Sequence, residues 1–416
     1  MSLPNSRTKK LLVIGHRWPE PEATAAGRRM LGLLEGFLGQ GYQIIFGCAA
    51  TPGNYALPLE PLGIETIRLS INDPAFDRFL ASNPFDIVLF DRFITEEQFG
   101  WRVRDCLPES TLILDTEDLH SLRHSREKAV REAKAWSVED WTLDPLFNRE
   151  VASILRCDLS LLVSERERDL LISQLPLLEG KLLYLPFLMK PGPKGQQPGY
   201  QERDGFVFVG TGLHRPNVDA IEQLKFEVWP ALSRKLPRAV LRVYGAYLPE
   251  RILGLHNAPE RFEVCGWAPS LAPVFGSARL QLAPIRFGAG IKGKILSALQ
   301  FGLPTLGSPI SLEGIYAGSS PEEFLAQTPG EFIDKAVELH EDEGRWRSAL
   351  KTQTSVAGPH FTDSFDLLTE ALGQREAARE RLPSDVILIQ NLLRDQAFDR
   401  LRYLSKWIEA KNARED

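Results

Sequence analysis

Short, mostly apolar runs alternate along the chain with segments in which apolar residues recur every three or four positions. Runs of this length are typical of strands buried in a parallel sheet, and the spaced segments have the period of helices that pack one face against it. The pattern therefore predicts an α/β protein built from repeated strand–helix units. The predicted strands are 10–15, 42–47, 85–90, 111–114, 159–164 and 181–188, followed by 205–210, 240–245, 261–265 and 280–285.

This alternation stops at one point and then starts again. Residues 190–204 are rich in Pro, Gly and Gln and show no apolar periodicity, which is typical of a linker between domains. We therefore expect two Rossmann-like domains, residues 1–189 and 205–365, that face each other across a cleft. In doubly wound sheets the loops that follow the strands build the binding crevice.

Residues 366–416 are predicted to be helices that partly pack back on the first domain. Within them, residues 384–408 place apolar side chains at gaps of three and four, with acidic and basic side chains between them. This pattern is typical of an amphipathic helix that docks on a core or on a partner. Contact with a membrane surface is the alternative, but the mixed charge of the polar face favours simple docking.

The segment 280–305 is predicted to be a strand, a glycine-rich turn and a helix. Gly288 and Gly290 flank the turn, where the lack of Cβ atoms lets a ligand approach the backbone closely. Free N–H groups and the positive end of the helix dipole meet at this turn, which suits a phosphate. Taken alone, the segment fits an ordinary strand-to-helix crossover better. Basic side chains at the same place are Arg286, Lys292 and Lys294.

The composition narrows the classes of function. The 416 residues carry a formal net charge of −6, so no global basic field is available to hold nucleic acid. No apolar run approaches the length of a membrane span and the N-terminus lacks a signal-peptide core, so we expect a cytoplasmic protein. His and Cys residues do not cluster, so a bound metal is not indicated. The cysteines are far apart and are predicted to be buried free thiols: Cys48, Cys106, Cys157 and Cys265.

Polar residues that follow predicted strands are candidates for the cleft. The first loop carries His16, Arg17 and Arg28, which fit a cleft or a plain solvent-facing loop. The strand at 111–114 runs into Asp-Thr-Glu-Asp-Leu-His at 115–120, and carboxylates beside a histidine are costly to bury without partners. A capping Asp followed by a surface His explains the same run about equally well.

A set of motifs in the second half is more specific in combination than any one of its members. The set comprises FVG at 208–210, HRPNVDA at 214–220, the run APIRFGAGIKGKIL, GLPT at 302–305 and LEG at 312–314. Together these motifs resemble the donor-binding domain of bacterial family 4 glycosyltransferases. PEATAAGRRMLGLL after the first strand and DTEDLHSLR after a later one are similar to a bacterial subgroup of that family. The resemblance covers roughly residues 10–372.

The resemblance implies the GT-B fold and transfer of a sugar from a nucleotide diphosphate sugar, with retention at the anomeric carbon and no metal or other cofactor. It implies a cytoplasmic enzyme of bacterial glycan biosynthesis, whose acceptor (glycan, lipid-linked or protein) the sequence does not identify. In the family a His of the N-terminal domain lies near the transferred sugar. His120 matches that position best, with Asp118 as its orienting partner.

The leaving diphosphate gains negative charge as the glycosidic bond breaks, and a fold without a metal must stabilise this charge with preorganised donors. Gly288, Gly290 and the helix that follows would supply backbone donors, and Lys292 with Lys294 or Arg286 would supply positive charge. The turn that contains Gly210, Gly212 and Arg215 would approach the diphosphate from the other side.

The chain departs from the family at both carboxylates of the Glu-x7-Glu motif. Ser297 stands where the family has the Glu that accepts hydrogen bonds from the ribose, and Ala289 stands at the earlier acidic position. A hydrogen bond to a charged acceptor is worth roughly 1.5–3 kcal/mol, so its loss would weaken donor binding roughly tenfold or more. A different donor, rescue by Glu313, or loss of catalysis would each follow from this change.

Two other functions remain open at this point. A catalytically degenerate homologue that binds a glycan or a protein would explain Ala289, Ser297 and the unmatched C-terminal helix. An epimerase acting on a nucleotide sugar would share the fold and the diphosphate site.

Overall fold

The computed structural model describes residues 8–189, 192, 197–316, 321–357, 360, 365–374 and 383–412, without the side chains of 396–401 and 412. Residues 190, 191 and 193–196 of the predicted linker, 190–204, therefore lie outside the described residues. The described chain forms two parallel sheets with helices against them, in chain order, and ends in helices.

The first sheet has the order β3-β2-β1-β4-β5-β6-β7, and its paired strands are parallel. β3 was missed by the pattern because it is an edge strand, in which Glu65 and Arg68 are exposed. The strands are β1 (Lys10–Gly15), β2 (Gln43–Cys48), β3 (Glu65–Arg68), β4 (Ile87–Asp91), β5 (Thr111–Asp115), β6 (Leu159–Leu162) and β7 (Leu182–Tyr184).

The helices of the first domain cover two apolar clusters, one on each face of this sheet. The first helix shows why these helices form. The Thr24 hydroxyl accepts a hydrogen bond from the amide of Gly27 at the start of the helix, and apolar side chains line one of its faces. Ser164 caps its helix in the same way, as predicted. The helices are α1 (Ala25–Gly39), α2 (Pro74–Ser82), α3 (Arg92–Cys106), α4 (His120–Arg131), α5 (Val138–Thr142), α6 (Pro145–Arg156) and α7 (Glu165–Gln174).

The second sheet is smaller and has the order β10-β9-β8-β11-β12. Its strands are β8 (Phe206–Val209), β9 (Leu241–Tyr244), β10 (Phe262–Gly266), β11 (Leu280–Ala283) and β12 (Thr305–Gly307). The helices around it are α8 (Arg215–Gln223), α9 (Trp229–Lys235), α10 (Glu250–Leu253), α11 (Leu271–Ser277), α12 (Gly293–Gln300), α13 (Pro309–Leu312), α14 (Pro329–Glu341) and α15 (Glu343–Ala357).

The cysteines are all free, but the prediction that all are buried is wrong. Cys48 and Cys157 are buried, Cys106 is half-buried and Cys265 is exposed. Cys265 lies on β10, at the edge of the second sheet, where one side of the strand has no neighbouring strand to cover it.

The chain then returns to the first domain. Helix α16 (Phe365–Gly373) places the Phe365 ring against Phe37 of α1, with ring centroids 5.0 Å apart. Helix α17 (Ser384–Asn412) contacts α3 and α6, and the guanidinium of Arg394 donates to the carbonyl of Arg156 at 2.6 and 2.9 Å. One side of α17 remains uncovered and carries exposed apolar residues: Leu388, Leu392, Tyr403, Leu404 and Trp407.

The carboxyl ends of the two sheets face each other. In both sheets the strand order reverses beside the first strand, between β1 and β4 and between β8 and β11. Ligands of open parallel sheets bind outside the strand ends at such a switch point. The two switch points enclose the cavity described next.

Candidate functional site

A cavity of about 440 Å³ lies between the two domains, within the range of small-molecule sites. The first domain contributes the loop 16–28 after β1 and the residues that follow β4 and β5. The second domain contributes the turn after β8 and the segment from β11 to α12. Each wall is therefore built from loops at strand carboxyl ends.

The glycine turn adopts backbone conformations that favour glycine. The φ angles of Gly288 and Gly290 are 157° and 64°. A Cβ atom added to Gly290 would lie 2.9 Å from the Cβ of Asp118, so only glycine lets the two domains come this close. Helix α12 begins at Gly293 without a side-chain cap.

The amide of Gly290 is not free in this structure, contrary to expectation. It donates to the Oε1 atom of Glu167, a buried residue of the first domain. Burial and the charge of Asp118 raise the pKa of Glu167 to about 8. A carboxyl group of the protein itself thus occupies one of the donors that we predicted for a phosphate.

Both lysines of the turn line the cavity. The Nζ atom of Lys292 donates to the carbonyl of Gly290 at 2.8 Å, and burial lowers the pKa of Lys292. The Nζ atom of Lys294 donates to Asn217 and lies 4.5 Å from the centroid of the Phe208 ring. Burial and the charge of Lys292 lower the pKa of Lys294 to about 7. Two like charges held together this way favour an anionic ligand.

The opposite wall carries a cluster of charged and polar side chains at the start of α4. The Oδ1 atom of Asp118 is 3.4 Å from Nε2 of His120, and Arg123 donates to the Oδ2 atom. Burial alone would raise the pKa of Asp118, but the charges of Arg123 and His120 hold it well below its usual value. Burial lowers the pKa of His120 to about 3, so its ring is neutral near pH 7.

His214 belongs to the second domain and lines the same cavity, although the sequence did not single it out as a site residue. Burial and the charge of Arg123 lower its pKa to about 3, while the charge of Asp118 acts in the opposite direction. It sat within the recognised motif at 214–220, and this was the only signal in the sequence that could have identified it.

Of the three residues predicted in the turn after β8, the structure places one, Gly210, at the cavity. Gly210 lines the cavity, and an added Cβ atom there would meet the side-chain amide of Asn217 at 2.7–3.0 Å. Gly212 instead packs on the backbone of Tyr247, which would lie 2.2 Å from an added Cβ atom. The guanidinium of Arg215 pairs with Glu127 at 2.9 Å and is largely exposed outside the cavity.

Arg286 is also turned away from the cavity. Its guanidinium pairs with both carboxylate oxygens of Asp219 on α8. The pair is partly exposed, so Arg286 supplies no charge to the cavity in this structure. Of the three basic residues predicted at this turn, the two lysines are the ones that line the cavity.

The two positions linked to the missing Glu are both engaged with the first domain. The Ser297 hydroxyl lines the cavity and accepts a hydrogen bond from Nη1 of Arg28 at 3.1 Å. Glu313 pairs through both oxygens with Arg126, at 2.7 and 2.8 Å, and Arg126 also donates to the carbonyl of Gly288. Rescue of the ribose contact by Glu313 stays a prediction, and Glu313 does not line the cavity in this structure.

His16 and Arg17 line the cavity. Among the described residues, no group of three or more His, Cys, Asp or Glu side chains is arranged to hold a metal ion. The helices of the described residues include none that is long and apolar enough to cross a membrane.

Comparison with known proteins finds one family model that matches part of the chain, largely within the second domain. Residues 203–342 match the family model described as Glycosyl transferases group 1. The match covers β8 to α14 and leaves the first domain outside it. No curated protein sequence matches the chain.

Solved structures match nearly the whole chain. TarM of S. aureus aligns with a TM-score of 0.65 and 8% identity, over 90% of this chain and 100% of that one. The pneumococcal O-GlcNAc transferase GtfA, in complex with UDP and GlcNAc, gives 0.62 and 12%, over 89% and 99%. Anabaena Alr3699/HepE, in complex with UDP, gives 0.57 and 14%, over 90% and 100%. At these identities the matches show the fold alone, which is the predicted GT-B fold with a helical C-terminal end.

Proposed function

We propose that this protein is a glycosyltransferase, which moves a sugar from a nucleotide diphosphate sugar to a hydroxyl group of an acceptor. One observation carries the proposal. Two partly buried lysines of the second domain and the cluster of Asp118, His120 and Arg123 of the first face the same cavity. A diphosphate against the lysines would leave the attached sugar between the two walls.

The lysines suit the chemistry of the leaving group. As the bond from the anomeric carbon to the diphosphate breaks, the electron pair stays on the diphosphate oxygen, and charge grows there. Lys292 and Lys294 would stabilise this charge in a partly buried site, where such interactions are stronger than in bulk water. We therefore propose that the transfer needs no metal ion.

His120 and Asp118 would act on the sugar itself. The neutral imidazole of His120 has one donor nitrogen and one acceptor nitrogen. Its Nε2 atom lies 3.4 Å from Oδ1 of Asp118, which would accept from it and orient the ring, and Nδ1 would then accept a hydrogen bond from a hydroxyl of the transferred sugar. Retention of configuration at the anomeric carbon belongs to the proposal, since the resemblance implies it.

UDP is the nucleotide to test first. GtfA and Alr3699/HepE were both crystallised with UDP, and both share the fold of this chain. Calorimetric titration with UDP, GDP, ADP and dTDP would show which one binds. Turnover would then be measured with the matching sugar donors.

Substitution of the lysines tests the observation directly. We predict that Lys294→Met weakens binding of the preferred nucleoside diphosphate at least tenfold at pH 7, because a charge-assisted contact is worth roughly 1.5–3 kcal/mol. Lys235→Met is the matched control, because Lys235 is an exposed lysine of α9 that pairs with Asp334. If none of the four nucleotides binds the wild-type protein, the proposed function is wrong.

A degenerate homologue that only binds a glycan or protein is the second candidate. The carboxyl of Glu167 on the amide of Gly290 favours it, because the anion site is partly filled, and so do Ala289 and Ser297. Nucleotide binding without transfer or hydrolysis of any sugar donor would support this candidate. Turnover that disappears in Lys292→Ala, with the fold intact, would exclude it.

The cellular location and the acceptor also belong to the proposal. We expect it in the bacterial cytoplasm, where it would serve glycan biosynthesis with a glycan, lipid-linked or protein acceptor. The uncovered apolar side of α17 is where a membrane surface or a protein would make contact.

A further inference from the structure

Helix α4 brings His120 and Arg123 to the cavity, but the residue before the helix does not cap it. That residue is Leu119, whose side chain has no polar atom to accept a hydrogen bond. The amide of Arg123 donates to the carbonyl of Leu119. The amides that precede Arg123 have no acceptor within the helix, and many helices satisfy such amides with a Ser, Thr, Asp or Asn just before them.

Glu150 of α6 supplies the missing acceptor from 30 residues further along the chain. Its Oε1 atom accepts the amide of His120 at 2.8 Å. Its Oε2 atom accepts the amide of Ser121 at 3.1 Å and the hydroxyl of Ser121 at 2.5 Å. Glu150 is 3% exposed and does not line the cavity. It therefore acts on the cavity through the backbone of His120 and not by contact with a ligand.

Two further side chains attach the same part of α4 to its neighbours. The indole of Trp141, on α5, donates to the hydroxyl of Ser121 at 2.8 Å. An Oδ2 atom of Asp144, the residue before α6, lies 2.6 Å from Nδ1 of His124, one turn further along α4. The start of α4 is thus held against both displacement and rotation by the segment 138–156.

The position of the His120 ring depends on the backbone that Glu150 holds. The ring is 13% exposed and lies between two groups of the first domain. Oδ1 of Asp118 is 3.4 Å from its Nε2 atom, and the Phe93 ring packs edge-on with centroids 5.5 Å apart. Only two side-chain torsions separate the imidazole from the backbone, so a shift of the helix start moves the ring away from Asp118.

A carboxyl group suits this place because it offers two acceptor oxygens at the positive end of a helix. Burial raises the pKa of Glu150 to about 7, although the hydrogen bonds from Ser121 and His120 act in the opposite direction. Ionised and protonated forms are therefore both present near pH 7. In each form one oxygen is free to accept the amide of His120. An apolar side chain of the same size would leave that amide without an acceptor.

We propose that Glu150 is a positioning residue, which holds the start of α4 so that the imidazole of His120 faces the sugar bound in the cavity. The inference rests on the proposed sugar transfer and adds to it a residue outside the cavity on which the reaction depends. Lys292 and Lys294 belong to the other domain, so the loss of Glu150 should slow the reaction without weakening the binding of a nucleoside diphosphate.

The first test follows His120 by NMR in the ligand-free full chain, labelled with 15N only in its seven histidines. The signals of the His120 ring are those that disappear in His120→Gln. We expect Glu150→Met, which fills the same volume without an acceptor, to move these signals. Glu150→Gln keeps an oxygen for the amide of His120 and can donate to the hydroxyl of Ser121, so it should leave the signals near their wild-type positions.

Glu96→Gln is the matched control. Glu96 is a buried carboxylate of α3 that also binds α6, where it accepts from Ser153 and Arg156, but it does not contact α4 through a hydrogen bond. This variant should lower the melting temperature and leave the His120 signals in place. If Glu150→Met fails to fold, Glu150→Asp gives the same test, because its carboxyl is one methylene shorter and is withdrawn from the amides.

The second test measures turnover of a panel of UDP-, GDP-, ADP- and dTDP-sugars, and calorimetric titration with the corresponding nucleoside diphosphates. Glu150→Met should lower kcat roughly tenfold or more, because a small displacement of a group at the reacting centre is costly. The Kd of the nucleoside diphosphate should stay at its wild-type value, and Glu150→Gln should recover most of the lost kcat.

The inference is overturned if the His120 signals in Glu150→Met match those of the wild-type protein, or if Glu150→Gln or Glu96→Gln moves them as far. Turnover by the wild-type protein that is unchanged in Glu150→Met also overturns it and leaves the proposed function intact. Signals that move as expected, in a wild-type protein that turns over none of the sugar donors, support the hold of Glu150 on His120 and remove the proposed function instead.

Discussion

Lys294 is the residue whose charge responds most directly to a bound diphosphate. Burial and the charge of Lys292 lower its pKa to about 7, so at pH 8 most free molecules carry it neutral. A diphosphate beside the ammonium group would stabilise the charged form and raise this pKa. Binding above pH 7 is therefore coupled to the uptake of a proton.

We predict that the Kd of the preferred nucleoside diphosphate rises between pH 7 and pH 9, by up to tenfold per pH unit. Below pH 7 the lysine is already charged, so the dependence flattens. Calorimetry at pH 8 in two buffers of different ionisation enthalpy measures the proton uptake. The Lys294→Arg variant stays charged over this whole pH range, so it should take up fewer protons when the nucleotide binds. Equal heats in the two buffers for the wild-type protein would contradict the coupling.

The residues of the site were predictable where a motif brings them together locally. Gly290, Lys292 and Lys294 lie within five positions of each other and all reach the interface between the domains. Arg286 has the same kind of side chain nearby, but Asp219, far away in the chain, pairs with it. The sequence does not show which distant acid lies within reach of a given arginine.

Glu117 illustrates a second limit. The sequence favours Asp118 and His120 of the run at 115–120 as site residues. Glu117 lies directly before this aspartate and has a φ of 61°. No spacing in the sequence shows that a glutamate will adopt a positive φ and lose its hydrogen-bond partners.

Among the elements, the glycine turn before α12 is the one that sets the distance between the domains. Gly290→Ala adds a Cβ atom 2.9 Å from that of Asp118 and forces alanine into a φ of 64°. Such backbone costs roughly 1–2 kcal/mol before any contact is counted. We predict a lower melting temperature and weaker nucleotide binding for this variant.

Gly39→Ala provides the comparison. Gly39 ends α1, and an added Cβ atom there would have no neighbour within 4 Å. A protein usually gains stability when a helical glycine is replaced by alanine, so this variant should melt at or above the melting temperature of the wild-type protein. Equal melting temperatures for Gly290→Ala and the wild-type protein would show that the domains do not depend on this turn.

Helix α17 carries a prediction of its own. Its outer side exposes Tyr403, Leu404 and Trp407, in a helix whose other side is packed on α3 and α6. If this side contacts a membrane, Trp407→Ser should reduce co-sedimentation with vesicles that contain anionic lipid several-fold. Leu143→Ser is the control, since Leu143 is 82% exposed on the first domain. Equal co-sedimentation of the wild-type protein and both variants would argue against a membrane contact and favour a protein that binds the outer side of α17.

Strands that lie in a longer apolar run were predictable from the pattern, and β3 and β12 were not. β3 has no buried residue, and β12 is only three residues long and directly follows the residues that end α12. The length of α17 was apparent from its spacing, but its contact with α3 and α6 involves side chains more than 200 residues away.

At the scale of the whole molecule, polar contacts between the domains close the cavity. Arg126 contributes the most extensive one, with three hydrogen bonds at 2.7–2.8 Å to Glu313 and to the carbonyl of Gly288. The Tyr247 hydroxyl donates to Glu20, and the Trp267 indole donates to the carbonyl of Glu22. These contacts keep the lysines and the His120 cluster on opposite sides of one cavity.

We predict that Arg126→Ala opens the cavity. Small-angle scattering should show a larger radius of gyration, and nucleotide binding should weaken because fewer groups meet the ligand together. Arg149→Ala is the matched control, because Arg149 forms a similar two-bond pair with Glu97 within the first domain. An unchanged radius for Arg126→Ala would mean that other contacts hold the domains.

The carboxyl group of Glu167 on the amide of Gly290 has a consequence for the end of a reaction cycle. A phosphate that uses this amide must first displace Glu167, and a tethered competitor acts at a high effective concentration. Glu167 would then return as the spent nucleotide departs, and so would hasten its escape. In Glu167→Ala, stopped-flow measurements would accordingly show slower dissociation of the nucleotide, and unaltered dissociation would mean that this carboxyl plays no part in product release.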